Sequence, residues 1–333
     1  MSDPSAATHQ WERRMETALD PARYVPEHAC FDYMADLEHV AAGLAGLVDT
    51  DPRLAVSLSE TFVAGCTEKA DEVDDSSGEF GSFVVGLVRR WVAARRAAGD
   101  RSDLTAARLL AWIDDDPYGF CHRLVQDVAE ALDRPGRAAL VAAVQGRFEA
   151  ARSAAAGDGP QRAVPYQQRR WADALRALHA TDADVDAYVR LVEKVGLTAA
   201  DCHTIATTLA GLGEAEHALS WVERGLVLDS GTASGSFARF DLADLKPRLL
   251  TDLGRAGEAL AVVWADFCGH PDRFSFDHLM AFVPVGERVA WQEKAITTAL
   301  DTADTPRQAR VHPSGPGRGL AEHRRAGAGR AWA

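Results

Sequence analysis

The chain has 333 residues, 47% hydrophobic and 26% charged, with a net charge of −13. That is an ordinary globular composition, long enough for one extended domain or two compact ones, and its acidity excludes a partner recognised by phosphate neutralisation, so no nucleic acid is expected. Arg, Asp or Glu breaks every apolar run before the roughly 18 residues a membrane helix needs, and no membrane partner is expected either.

The N-terminal stretch MSDPSAATHQWERRMETALD has no apolar core of a secretory signal, which makes a cytoplasmic location the expectation. The five cysteines (Cys30, Cys66, Cys121, Cys202 and Cys268) stand singly at wide spacings and read as buried, reduced thiols. Residues 1–10 are expected to be disordered, and a helical region over 11–157 to follow. Apolar residues recur along it at i, i+3, i+4 and i+7, as in Val84, Leu87, Val88 and Trp91, the template of an amphipathic helix. The pattern predicts helices over about 8–19, 29–48, 52–72, 79–97, 103–113, 117–132 and 136–156. Asp51-Pro52 and Asp116-Pro117 each read as an N-cap followed by proline in the first helical position. Ser76 and Glu79 have capping-box spacing.

The Gly/Pro stretch AAAGDGPQRAVP, 154–165, is the expected junction with a second helical region over 165–303. There the helices predicted are about 166–179, 183–195, 199–212, 214–228, 240–253, 256–269, 273–283 and 286–301. Thr198 and Asp201 offer a further capping box, and DSGTASGS, 229–236, a second flexible point. From residue 304 the hydrophobic period stops. The tail to 333 is rich in Gly, Pro, Ala and Arg and is expected to be disordered; its texture reads as GC-rich DNA translated in another frame. From Thr305 onward it has six Arg against one Glu, and removing that +5 from −13 leaves −18 on the preceding 304 residues.

Two phrases echo each other. LAGLGEAEHALSWVERGL at 209–226 and LLTDLGRAGEALAVVWADF at 249–267 align on Gly213 and Gly254, matching Leu209 with Leu250, Leu212 with Leu253, Ala218 with Ala259 and Leu219 with Leu260. Each is a helix, a glycine turn and a second helix, a unit whose apolar face only a neighbouring unit can bury. The phrase resembles a tetratricopeptide repeat, with a spacing of 41 residues against the usual 34 or so. Over residues 29–300 the run CFDYMADLEHVAAGLAGLVD, the loop EVDDSSGEFG, and then WVERGLVLD, EALAVVWADF and FSFDHLMAFVPVGERVAWQEKAI resemble an uncharacterised bacterial helical domain that occurs alone or downstream of SWIM-type zinc fingers. That resemblance implies a helical-repeat scaffold without assigned chemistry. The finger itself needs Cys-x-Cys and Cys-x-His. Cys268-Gly269-His270 is the only Cys-x-His here and there is no Cys-x-Cys, so the finger's metal and nucleic-acid roles do not carry over.

Chemistry-bearing residues are few. Asp71, Glu72, Asp74, Asp75 and Glu79 gather in the loop 71–81, and Asp74, Asp75 and Glu79 are the candidate ligands for a hard cation. Aligning Gly78 with the EF-hand glycine puts Val73 where the first Asp belongs, and a solvated, capped loop is the favoured reading. Asp114, Asp115 and Asp116 read as turn and cap residues. Cys121-His122 and Cys202-His203 are adjacent pairs, which diverge by about 100° on a helix. Phosphate-loop, dinucleotide, nucleophile-elbow and HExxH signatures do not occur. Trp171, Trp221, Trp264 and Trp291 read mainly as packing, with Trp171 and Trp221 the candidate anchors for a partner.

The sequence therefore predicts an all-α superhelical stack of antiparallel helix pairs, a tetratricopeptide-like α-solenoid. The expected role is a non-enzymatic interaction scaffold, with no cofactor, that takes a protein or peptide, basic by complementarity, on its concave face. The alternatives are a metal-dependent module or enzyme using the acidic loops 71–81 and 114–116, and a non-functional remnant of a SWIM-type protein.

Overall fold

A computed structural model describes residues 4–21, 23–114, 124–155, 166–230 and 236–304. Among them the chain is all-helical. In order the α-helices are α1 (Pro4–Leu19), α2 (Cys30–Leu47), α3 (Pro52–Lys69), α4 (Glu79–Ala97), α5 (Ser102–Asp114), α6 (Leu124–Val128), α7 (Arg134–Ala155), α8 (Tyr166–Thr181), α9 (Val185–Val195), α10 (Ala199–Gly211), α11 (Ala215–Asp229), α12 (Phe237–Asp252), α13 (Ala256–Gly269), α14 (Arg273–Phe282) and α15 (Arg288–Asp304). The one extended pairing among the described residues is a single bridge between Val25 and Val73. No helix among them is long and apolar enough to cross a membrane.

Most predicted elements appear with ends shifted by a few residues, because capping and not periodicity sets the ends. The stretch 1–10, expected to be disordered, is helical from Pro4 onward. Asp51 caps α3 as its sequence implies, its carboxylate accepting from the Leu54 N–H at 3.1 Å, with Pro52 in the first turn. Thr198 and Asp201 form a reciprocal capping box on α10. The predicted box of Ser76 and Glu79 does not form. Gly78, at φ 75°, leads into α4 in the left-handed region, and Asp75 takes the capping role instead. Its two carboxylate oxygens accept from the Phe80 and Gly81 N–H groups at 2.8 and 3.0 Å. Asp116-Pro117, Cys121-His122 and the tail 305–333 lie outside the described residues.

The chain divides into two compact units, residues 1–254 and 255–333. In the first, one continuous apolar core runs from Met15 to Leu191. Phe62, Phe80, Leu87, Trp91 and Phe148 are fully buried in it, each such side chain stabilising the fold by about 1.5–3 kcal/mol before entropy is counted. Each helix packs mainly on its next or next-but-one neighbour: α3 on α4, α5 on α7, α7 on α8, α8 on α9, α10 on α11 and α11 on α12. Since α7 packs on α8 and the core continues through both, the expected junction at 154–165 joins two parts of one unit. The division falls instead at the second glycine turn of the echoed phrase.

The two turns share their backbone. Gly213 and Gly254 take φ 82° and 73°, a region where a side chain is strained and glycine is not, and each N–H closes onto a carbonyl three residues back, Ala210 and Thr251. The matched Ala218 and Ala259 are both fully buried. In the second unit Val263, Phe267, Leu279, Val283 and Ala295 form a small core of α13, α14 and α15.

Candidate functional site

The acidic loop is organised by its own hydrogen bonds. Val25 donates to the Glu72 carbonyl at 2.7 Å and accepts from the Asp74 N–H at 2.8 Å, which pins the loop to the segment before α2. The Cys30 thiol donates to the Asp74 carbonyl at 3.3 Å. The Asp74 carboxylate accepts from both the N–H and the hydroxyl of Ser76, and these bonds hold its pKa below the usual carboxylate value. Asp75 is turned back onto α4, and Glu79 stands exposed in its first turn. The three candidate ligands thus face separate tasks. Among the described residues no three His, Cys, Asp or Glu come together to hold a metal ion.

What the loop does build is the edge of a groove. Between α2 and the start of α4 lies an open cleft of about 460 Å³, lined by Phe31, Met34, Ala35, Glu38, Ser77, Gly78, Glu79, Ser82 and Phe83. Phe83 and Tyr33 turn inward to the core, whereas Phe31, two residues earlier on α2 than Tyr33, is 77% exposed. Glu38 and Glu79 supply acidic groups to the lining, and Arg90 reaches Glu38 at 3.1 Å.

A second cleft, of about 620 Å³, opens between α6, α8, α9 and α10, lined by Gln126, Tyr166, Arg169, Arg170, Asp173, Arg176, Ala177, Ala180, Tyr188 and Thr204. Its wall is a buried ion-pair network centred on Asp201, which is 3% exposed. Asp201 accepts from Arg176 Nε at 2.7 Å, from the Tyr188 hydroxyl at 3.0 Å and from the Thr198 N–H and hydroxyl at 2.9 and 2.8 Å. Burial and then the Asp201 carboxylate push the Tyr188 phenol up, so it remains a donor. Arg176 also reaches Asp173 at 2.9 Å. Arg170 donates to the Ile113 carbonyl at 2.9 Å and lies over the Trp171 ring.

Trp171 is 6% exposed and belongs to the core, with the guanidinium groups of Arg147 and Arg170 over its ring. Trp221 is half-buried, and Arg224 covers its ring at 4.8 Å. Asp114, from the second acidic loop, is paired with Arg147, while Asp115 and Asp116 lie outside the described residues. Cys202 is buried in α10, while the neighbouring His203 points to Thr207 at 3.5 Å. Burial pushes the thiols of Cys30, Cys66 and Cys202 up, Cys66 to about 12, away from the thiolate form a nucleophile or metal ligand needs. In the second unit Trp264 and Trp291 meet edge to face with centroids 5.3 Å apart, and the Lys294 ammonium sits over both rings at 4.1 and 4.2 Å.

Sequence reasoning missed both clefts. Phe31 falls off the buried register of α2 (Cys30, Tyr33, Leu37, Val40, Ala41 and Leu44) and shares a second face with Met34, Ala35 and Glu38, a spacing that the apolar pattern alone assigns to neither core nor groove. The signal that was available for the second cleft is Arg169-Arg170, an adjacent cationic pair in an acidic chain. No curated protein and no solved structure matches the chain. Residues 2–310 match the sequence profile of a family of unknown function, DUF6880, and the chain belongs to that family.

Proposed function

We propose that the protein is a non-enzymatic interaction scaffold of the helical-repeat type, a tetratricopeptide-like solenoid, and that it holds a basic amphipathic protein segment in the groove between α2 and α4. The observation that carries this reading is Phe31, 77% exposed beside Met34 and Phe83 with Glu38 and Glu79 in the same lining. An aromatic side chain held in water at an apolar groove provides the kind of anchor that dominates many protein interfaces. Acidic groups around it select Lys- or Arg-bearing partners and speed their approach. The packing of consecutive helices and the recurring helix–glycine–helix phrase support the repeat arrangement. The resemblance to domains that occur alone or after a SWIM-type zinc finger suits a module that works by itself or appended to another domain, in the cytoplasm.

The test is a quantitative pull-down with the full chain, comparing the native protein with Phe31→Asp. Phe31 is exposed, so the variant is expected to keep its helical content and melting temperature. One stoichiometric basic partner, released by raised salt and lost with Phe31→Asp, is the expected result. An unchanged set of bound proteins in the variant would contradict the reading.

A further inference from the structure

We infer that the outer face of α15, in the second unit, docks on the same face of a second copy of this chain, with the two helices antiparallel. The inference is independent of the groove in the first unit. Toward its own core α15 presents Ala295, fully buried, with Trp291 and Ala299 packed beside it. At about 100° per residue, a second apolar row points roughly 120° away from these three. It consists of Val289, Ile296 and Leu300, preceded by Val285 in the turn that leads into the helix. All four are between 51% and 79% exposed. Apolar side chains scattered singly on a surface need no explanation, whereas a continuous row marks an interaction site.

The order of the row names its occupant. The steps from 285 to 289, 289 to 296 and 296 to 300 are 4, 7 and 4 residues, the same from either end. A two-fold interface is self-complementary: residue i meets residue j, and j meets i. Turned about a point between Gln292 and Glu293, two copies set Val285 against the partner's Leu300 and Val289 against the partner's Ile296. Every rung then joins a valine to a larger side chain, which fills the interface evenly. A parallel pair would set valine on valine and leucine on leucine, alternately thin and thick, and would also align the two helix dipoles unfavourably.

Charge argues against a lipid surface as the occupant. Glu293 stands beside the row and Asp301 follows it, both exposed, whereas helices that lie on anionic membranes carry Lys and Arg at their flanks. The same Glu293 limits the pairing, because the two-fold point brings the carboxylates of both copies near each other. The strip from 285 to 300 is about 22 Å long and smaller than a standard interface, so pairing is expected at protein concentrations on the order of 100 µM.

The experiment is sedimentation equilibrium of the full chain from about 5 to 500 µM, a range that brackets the expected pairing. The native chain is expected to pass from monomer to dimer. Ile296→Lys, at an exposed position that keeps the fold, should leave it monomeric, and Glu293→Gln should tighten the dimer severalfold. Register is read in a Cys268→Ser background with a short bis-maleimide. Gln292→Cys, next to the two-fold point, should cross-link copy to copy, while Leu300→Cys, about 22 Å from its own counterpart along the axis, should not. A monomer at every concentration, a dimer that survives Ile296→Lys, or cross-linking from position 300 as fast as from 292 would each overturn the inference. So would a monomer in which a cysteine at 296 is shielded from maleimide, since the chain itself would then cover the face.

Discussion

Asp201 shows how much one side chain can carry. Its carboxylate closes the capping box of α10 and is also the counter-ion of Arg176 and the acceptor for Tyr188. Removing one partner of a buried ion pair leaves the other charge uncompensated and costs about 3–5 kcal/mol. Asp201→Ala should therefore lower stability by that order in chemical denaturation, while Thr198→Ala, which removes the cap acceptor and one donor to Asp201 but leaves the ion pair with Arg176, should cost about 1 kcal/mol. Comparable losses for the two would show that the ion pair contributes little.

His179, buried on α8, carries a second residue-scale consequence. Burial lowers its pKa from the ordinary 6.5, with Arg190 acting in the same direction and Asp184 and Asp182 partly opposing it. The unfolded chain then takes up a proton at a higher pH than the folded one. Stability is complete above the unfolded value, declines as pH falls below it, and stops declining once pH passes below the folded value. Urea midpoints measured between about pH 7.5 and 5.5 should fall toward the acid end, and His179→Gln should flatten that slope. A midpoint that rises on acidification would have the wrong sign for a buried neutral imidazole.

At the scale of elements, the start of α4 separates two accounts of one loop. Asp75→Ala removes the acceptor of two helix-terminal N–H groups and should cost about 1 kcal/mol. Ser76→Ala removes an exposed contact with Asp74 and should stay within about 0.5 kcal/mol; thermal or urea unfolding of the two variants checks this. The reverse order would restore the Ser76–Glu79 box that the spacing suggests. The helices themselves were legible because apolar residues at i, i+3, i+4 and i+7 must face a core: Val84, Leu87, Val88 and Trp91 are all buried. Gly225 marks where legibility ends. A Cβ there would lie 2.6 Å from Leu242 Cδ1 and 2.8 Å from Cys202 Cβ, a close approach of α10, α11 and α12 that a pattern within one helix cannot announce. The clefts escaped for the same reason. Phe31 and Phe83, or Gln126 and Arg170, become neighbours only through tertiary packing, and which face of an apolar run stays in water is settled by the partner helix.

For the molecule as a whole, the acidic charge and the exposed Phe31 are what the proposed reading of the first unit joins: a basic segment would lie in the groove between α2 and α4. In loop 71–81, Asp75 caps α4, Asp74 holds Ser76 and Glu79 lines the groove's edge. The most direct measurement places a photo-crosslinking amino acid at position 31 of the full chain, with a control at position 104, whose Leu is also exposed on α5. A discrete adduct with a basic partner segment should form from position 31 alone. Raised salt and Glu79→Lys should both suppress it. Adducts equal from both positions, or an adduct from position 31 that charge reversal leaves intact, would contradict the acidic groove as the seat of function.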